Sequence, residues 1–310
     1  MRKDATGKDM NITGNYRVVY PIIDKQYREN PPDIDMTGRI QAALDEVGAV
    51  GGGVVALSMG GYLLSGALYV PRGVTLCGME RDLCILERRE KNAGREKLIV
   101  CEDGATVRDM RLQVRGTSGD IISGKNSLTV KNIDIIASPY FKGEYYVSGE
   151  ELKSNAMIRG EGDDITVENV RMFGIGCGVV IRNGKRATLK ELSIYTSGNG
   201  LIADNYSDVR AELLTLRGKS CKDIEANMFS THQTSDCTIR FFGCENVKVC
   251  ETDIHDVGRD SPAIYAENTR GLDISGLFCE NVRDTLKCEN CSDVRSEDVR
   301  HIMMQREIKE

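Results

Sequence analysis

Apolar and polar positions alternate in short bursts along this chain, and one arrangement of them keeps returning. Residues 165 to 172, Ile-Thr-Val-Glu-Asn-Val-Arg-Met, read apolar, polar, apolar, two turn residues, apolar, polar, apolar, which is two short strands meeting at a corner. The arrangement begins again at Ala105, Leu128, Ala187, Val209, Val247, Leu272 and Val294, with Ser296, Thr252 and His301 as its more polar members. Starts from Ala105 onward are separated by 23, 37, 22, 22, 38, 25 and 22 residues. The two long intervals are one period plus an insertion of about 15 residues. A repeat of this length is the mark of a solenoid.

A second element precedes each corner. VVIRN ends at Asn183, LIADN at Asn205, IYAEN at Asn268 and LKCEN at Asn290, each four residues before the next start. Each coil therefore holds three strands, and alternate residues of every strand point inward because the side-chain period of a strand is two. Asn at the first corner, and Asn132 and Asn169 at the second, suit left-handed turns that bond to the next coil. Leucine-rich and helical repeats would need a helix or a leucine frame in each unit, whereas β-branched alternation fills these. The expected fold is all-β, a right-handed parallel β-helix with a repeat of about 22 residues. Residues 1–36 are read as an extension, 37–304 as one β-helix domain with coils from about 53, and 305–310 as a charged tail. A short capping helix over 37–47 is expected, with Thr37 as its cap, Ile40, Ala43, Leu44 and Val47 on one face and Gly48 as its stop. Covering the end of the sheet is its expected task, since a bare end exposes strand edges.

Composition narrows the picture. Tryptophan is absent and aromatics make up 5% of the chain, so Val, Ile, Leu, Ala and Cys must fill the core in thin layers. Glycine at 32 residues against proline at 6 fits many tight turns. A net charge of −6 with no basic stripe argues against a nucleic-acid partner. No stretch reaches the length of a membrane helix, so no membrane partner is expected. The first ten residues lack the apolar run of a signal peptide. Eleven cysteines spread through the apolar pattern read as buried reduced thiols. The localisation expected from these features is cytoplasmic, or secreted if the sequence is a mature form. Cys288 and Cys291 form a lone Cys-x-x-Cys without the second pair that a zinc site needs.

Residues Arg39-Ile-Gln-Ala-Ala-Leu-Asp-Glu, then Gly51-Gly-Gly-Val-Val, Gly61-Tyr-Leu-Leu-Ser-Gly and Gly73-Val-Thr-Leu-Cys-Gly, followed by the coils from Ala105 to His301, resemble the pectate-lyase and polygalacturonase superfamily. The resemblance covers most of the chain and implies a β-helix acting on carbohydrate. Two departures stand out: Ser58 replaces the proline usual before the Gly-x-Tyr turn, and the Asn-Thr-Asp, Gly-His-Gly and Arg-Ile-Lys signatures of polygalacturonases are missing. Substrates in the superfamily lie along the outer face of one strand stack between long loops. Here the two insertions, 136–155 and 217–238, precede the first strand of a coil. The first contains Tyr140, Phe141, Tyr145 and Tyr146, a group suited either to stacking on sugar rings or to packing the loop.

Counting back from each first corner gives the outward positions of the first strand: Val180 and Arg182, Ile202 and Asp204, Arg240 and Phe242, Tyr265 and Glu267, Lys287 and Glu289. Coils are spaced by about 4.8 Å, so Asp204 and Glu267 are expected roughly 9.6 Å apart, near the separation of an inverting glycosidase, while Glu267 and Glu289 suit a retaining one. The expected catalytic residues are Glu267 as proton donor beside Glu289, Asp204 as base, and His232 of the second loop as a further acid or base. Arg240, Arg182, Tyr265, Lys287, Tyr145 and Tyr146 are expected to hold substrate. In a lyase, Arg240, Lys287 or Lys219 would abstract a proton instead, and Asp204 with Glu267 would bind calcium. No other cofactor is expected. His255 is placed at the start of a turn and His301 at an inward, end-capping position. Outward strand residues are also commonly charged for solubility and paired across strands. The partner expected is a poly- or oligosaccharide, with a glycoside hydrolase or a polysaccharide lyase as the enzyme readings, a carbohydrate-binding or virion spike-type module as the non-catalytic one, and a purely structural protein as a third. Oligomerisation through the C-terminal end is a further expectation.

Overall fold

The computed structural model describes residues 15–20, 34–88, 97–115, 119–138, 140–141, 144–145, 155–174, 176–196, 198–218, 238–255 and 262–303. Twenty strands form one curled sheet in which the pairings are parallel. Many paired strands are not neighbours in sequence. Strand Ile239–Phe242 lies between Leu201–Gly218 and Ile264–Glu267, although Glu245–His255 intervenes along the chain. The chain thus leaves each stack, visits the others and returns one layer further on, which makes the fold a β-helix. Parallel crossovers of this kind are right-handed as a rule.

Inward positions stand above one another from layer to layer. Ile165 pairs with Ala187, Ala187 with Val209, Val209 with Val247, Val247 with Leu272 and Leu272 with Val294. Side chains at these positions point inward and are buried down to Leu272, so each covers the one before it. Val294 belongs to the same column yet is 36% exposed, because strand Ser292–Ile302 is the outermost described layer at that end. His301, in register with the buried Cys279, is exposed for the same reason, and its Nε2 lies 2.9 Å from the Val282 carbonyl oxygen.

Left-handed backbone turns the corners. Asn183, Asn205, Asn268 and Asn290 have φ between 49° and 52°, and Gly243 takes the equivalent place. The next layer is met there by backbone: the Gly243 N–H donates to Glu267 O and the Asn268 N–H to Glu289 O, both at 2.9 Å. At the second corner side chains form the ladder, with Asn169 Nδ2 donating to Asn132 Oδ1 (3.2 Å) and Asn132 Nδ2 to Asp109 Oδ1 (2.7 Å). Further along that corner the column continues through Glu191, Leu213 and Glu251, all at positive φ. Leu213 is the misfit, a branched apolar residue with φ 55° and 41% exposed.

The opposite end is closed by helix Thr37–Ala49, which buries Ile40, Leu44 and Val47 against Leu68–Val70, Tyr16–Val19 and Gly53–Leu57. Its ends differ from the expectation. Thr37 is the first helical residue and makes no cap; Asp35 serves instead, its carboxylate accepting from the Thr37 N–H (2.9 Å), Thr37 Oγ1 (2.6 Å), the Ser65 N–H (3.1 Å) and Ser65 Oγ (2.6 Å). Gly48 is not the stop: it lies inside the helix, where a Cβ would come within 2.7 Å of Pro71, and the chain turns at Gly51 and Gly52, both at positive φ. Strand Tyr16–Val19 pairs with Gly53–Leu57, so the sheet begins inside the segment read as an extension. Ser58, in the proline's place, sits 3.2 Å from the Tyr62 hydroxyl, which donates to Val19 O at 2.9 Å.

Two stability effects follow. Burial pushes the Asp35 carboxyl up, but the bonds from Ser65 and Thr37 outweigh it and bring it down to about 2. The stabilisation is therefore complete above the unfolded value of about 3.9 and lost as pH falls through about 2. Asp35→Ala should cost about 1 kcal/mol at neutral pH, and denaturant titrations should show the gap to wild type narrowing between pH 4 and 2. In the other direction, Leu213→Asn should stabilise by roughly 0.5–1 kcal/mol, because Asn tolerates the left-handed conformation; an unchanged or lower melting temperature contradicts it.

Candidate functional site

Outward residues of the first strand form two parallel columns. In one, Arg159, Val180, Ile202, Arg240, Tyr265 and Lys287 follow one another in register. In the other the order is Arg182, Asp204, Phe242, Glu267 and Glu289. From Val180 onward the columns hold, layer by layer, the outward positions that alternation gives.

The two halves of this strip differ in character. Toward the helix it is closed: Val180 is 2% exposed although it faces away from the main core, and it packs with Ala156, Cys177 and Ile202 in a second apolar cluster. Arg159 forms a nearly buried bidentate pair with Asp120, through Nε (2.7 Å) and Nη2 (3.0 Å), while Asp120 also accepts the Ala156 N–H at 2.9 Å. Sequence reading missed this pair, since an arginine at an outward position carries no sign that it is covered.

The open half centres on Tyr265. Its hydroxyl lies 3.1 Å from Glu267 Oε2 and 3.0 Å from Glu289 Oε2. Arg240 and Lys287, one layer to either side, approach its ring at 5.9 and 5.6 Å from the centroid. Phe242 stands 5.9 Å from Tyr265, tilted at 56°, and occupies the layer between Asp204 and Glu267. Desolvation, then the two carboxylates, push the Tyr265 hydroxyl up to about 12, so it remains a proton donor. Glu289 is held below the usual carboxylate range by its 2.8 Å contact with Lys287 and by the Tyr265 hydroxyl. Among the described residues Glu267 bonds to Tyr265 and Asn268 and meets no cation. Asp204 is 3.6 Å from Arg182 Nε.

The structure thus gathers Asp204, Phe242, Tyr265, Glu267, Lys287, Glu289 and Arg240. An aromatic floor flanked by carboxylates, with cations at its side, can seat a sugar ring and supply both an acid and a base. Phe242 separates Asp204 from Glu267, and among the described residues no three His, Cys, Asp or Glu side chains gather in a set fit for a metal.

Other expectations fall elsewhere. Tyr145 opposes Tyr140 in a small antiparallel hairpin, Tyr140–Phe141 with Glu144–Tyr145. The side chains of that hairpin, together with Tyr146, Lys219 and His232, lie outside the described residues. His255 ends strand Glu245–His255, with Nδ1 2.8 Å from Glu280 Oε2 and its ring 5.6 Å from Phe278, and the residues immediately after it lie outside the described ones. Nine described cysteines are free thiols, and burial followed by its neighbour Cys291 pushes Cys288 up to about 11, away from thiolate chemistry.

No protein-family model and no curated protein matches the chain. Among solved structures it is similar to the A-module of the Azotobacter vinelandii mannuronan C-5 epimerase AlgE4, with 14% identity over 88% of this chain and 94% of that one, at a TM-score of 0.40. PfbA, a surface adhesin of Streptococcus pneumoniae, gives 11% identity over 86% of this chain and 90% of that one, at 0.45. The tailspike protein gp49 of Acinetobacter baumannii bacteriophage Fri1, a capsular polysaccharide depolymerase, gives 12% over 93% and 62%, at 0.34.

Removing the shared donor should unbalance the carboxylates. In Tyr265→Phe the Glu289 carboxyl should titrate higher than in wild type, and in Lys287→Met higher still, since the lysine is the larger of the two lowering influences. Carboxyl-carbon NMR titration reads both shifts; a Glu289 value unmoved in either variant contradicts the geometry.

Proposed function

We propose that this protein is a carbohydrate-active enzyme that cleaves a poly- or oligosaccharide on the outer face of its first strand stack, by hydrolysis in preference to elimination. In this reading the scaffold is a β-helix of three-strand coils with a repeat of about 22 residues. One observation supports it most: the ladder Asp204, Phe242, Glu267, Glu289, in which an aromatic ring separates two carboxylates and a tyrosine hydroxyl joins the second to a third.

Glu267, which meets no cation among the described residues, donates its proton to the glycosidic oxygen as the bond to the anomeric carbon breaks. Asp204, on the other side of the Phe242 ring, takes a proton from the water that attacks that carbon. Two layers of about 4.8 Å separate them, which leaves room for that water and matches inversion better than retention. Glu289, ionised beside Lys287, stands next to Glu267, and the Tyr265 hydroxyl between those two leaves no space for a sugar there. Arg240 lies where a substrate carboxylate or hydroxyl can be bound.

A second reading, a saccharide-binding module without cleavage, is favoured by the ion pairs that Asp204 and Glu289 already make. One assay separates them. The purified chain is incubated with neutral and uronate-containing glycans, with and without calcium, while reducing ends and the absorbance of unsaturated products are followed. Hydrolysis predicts reducing ends without unsaturation, and on the order of a 100-fold or greater loss of turnover in Glu267→Gln and Asp204→Asn. Unsaturated products redirect the assignment to a lyase, and glycan binding without products in wild type and both variants leaves the binding module.

A further inference from the structure

A second recess lies on a different face, the outer side of the strand that follows the second corner. In one column there Arg111, Asp134, Arg171, Ser193 and Thr215 succeed one another in register. Beside it run Ile136, Phe173, Tyr195 and Arg217. The change from long charged side chains to Ser193 and Thr215 leaves a notch two layers tall, and Phe173 with Tyr195 walls it. The result is a cleft of about 460 Å³, within the range of about 300–1,000 Å³ typical of small-molecule sites.

Its chemistry is graded from one end to the other. Arg171 holds Asp134 through Nε (2.7 Å) and Nη2 (2.6 Å), which fixes the guanidinium at the mouth of the notch and uses two of its five N–H donors. Arg81 and Arg111 also approach Asp134, at 3.7 and 3.6 Å, while Asp82 accepts from Arg111 Nη2 (2.8 Å) and lies 3.7 Å from Arg171 Nη2, so three guanidiniums share two carboxylates. Arg111 Nε is buried without a hydrogen-bond partner. The wall is apolar: the rings of Phe173 and Tyr195 stack at 5.2 Å and 19°, and Phe173 remains 45% exposed. Ser193 and Thr215 are exposed and present hydroxyls on the floor.

Guanidinium, hydroxyl floor and apolar wall match a sugar acid, whose ring carries a carboxylate at one edge, hydroxyls around it and C–H groups on its faces. A simple anion has no use for the wall, and an apolar ligand has no use for the half-exposed Arg171 guanidinium and its remaining N–H donors. We propose that this cleft binds a uronate residue of an acidic oligosaccharide, with the carboxylate at Arg171 and the ring over Ser193 and Thr215. It is a binding site apart from the carboxylate strip, and it rests on the chain acting on saccharides, not on where cleavage takes place.

The test is a calorimetric titration of the full chain with the tetrasaccharides of galacturonate, mannuronate and guluronate, with cellotetraose as the neutral counterpart. Ser193→Phe fills the notch from an exposed position and leaves the arginine cluster intact; Tyr195→Ala removes the wall instead; Glu267→Gln reports on the strip. Thermal melts confirm that each variant is folded, and either of the first two suffices if the other fails to fold. At least one acidic tetrasaccharide should bind, at least tenfold more tightly than cellotetraose and several-fold more weakly in 0.5 M than in 0.05 M salt. Ser193→Phe and Tyr195→Ala should each lower the affinity about tenfold or more, and any change in Glu267→Gln belongs to the strip and leaves the cleft to be judged by the two notch variants. No binding of any acidic tetrasaccharide, equal binding of the neutral one, or binding indifferent to the notch variants overturns the proposal. Because Glu267→Gln is read separately, a chain that cleaves nothing can still bind here, and a chain that cleaves can still fail to.

Discussion

Parallel backbone pairing from one layer to the next is the constraint from which everything else in this molecule follows. Each layer takes its hydrogen bonds from its neighbours, so no layer can shift by one residue without turning its apolar side chains outward and its charged ones in. Ile165, Ala187, Val209, Val247 and Leu272 remain above one another because that slip would unmake both the core and the surface. The left-handed residues at the corners serve the same end by closing each turn at a fixed place, with Asn side chains bonded between layers at the second corner.

Because register is fixed, the surface is organised in columns, and what matters chemically is the order of residues down a column. Tyr265 bonds to Glu289 because Lys287 and Glu289 lie one layer away, and it touches Glu267 because that residue is two positions along its own strand. The notch between Arg171 and the residues that follow arises in the same way, from two small side chains set below a long one. Neither feature exists within a single layer.

Legibility in the sequence follows from this. The side-chain period of two and the recurrence of the corner were sufficient to order Asp204, Phe242, Glu267 and Glu289 before any coordinates, because both are local properties that stacking copies. The notch was equally present in the alternation at 171, 193 and 215, but its significance depends on the depth left by Ser193 and Thr215 and on how the Phe173 and Tyr195 rings stack, and pattern does not carry depth. Asp35 was overlooked for another reason: it meets the Thr37 N–H directly but is held in place by Ser65, a residue 30 positions away, and a local rule sees only the threonine at the start of the helix. The Arg159–Asp120 pair is hidden likewise, since its burial depends on what covers the outside of the sheet. Leu213 shows the opposite limit, where the stack imposes a turn that the residue itself would not choose.

The spacing of the repeats has one further implication. Val209 pairs with Val247 as it should although 38 residues separate the two starts, against 22 between Ala187 and Val209. Added chain between layers therefore leaves their register unchanged, and lengthening a connection twofold costs only about 0.6 kcal/mol of closure entropy. Layers and connections are in that sense separable inventions: the layers can remain as they are while the chain that joins them is rewritten in length and composition.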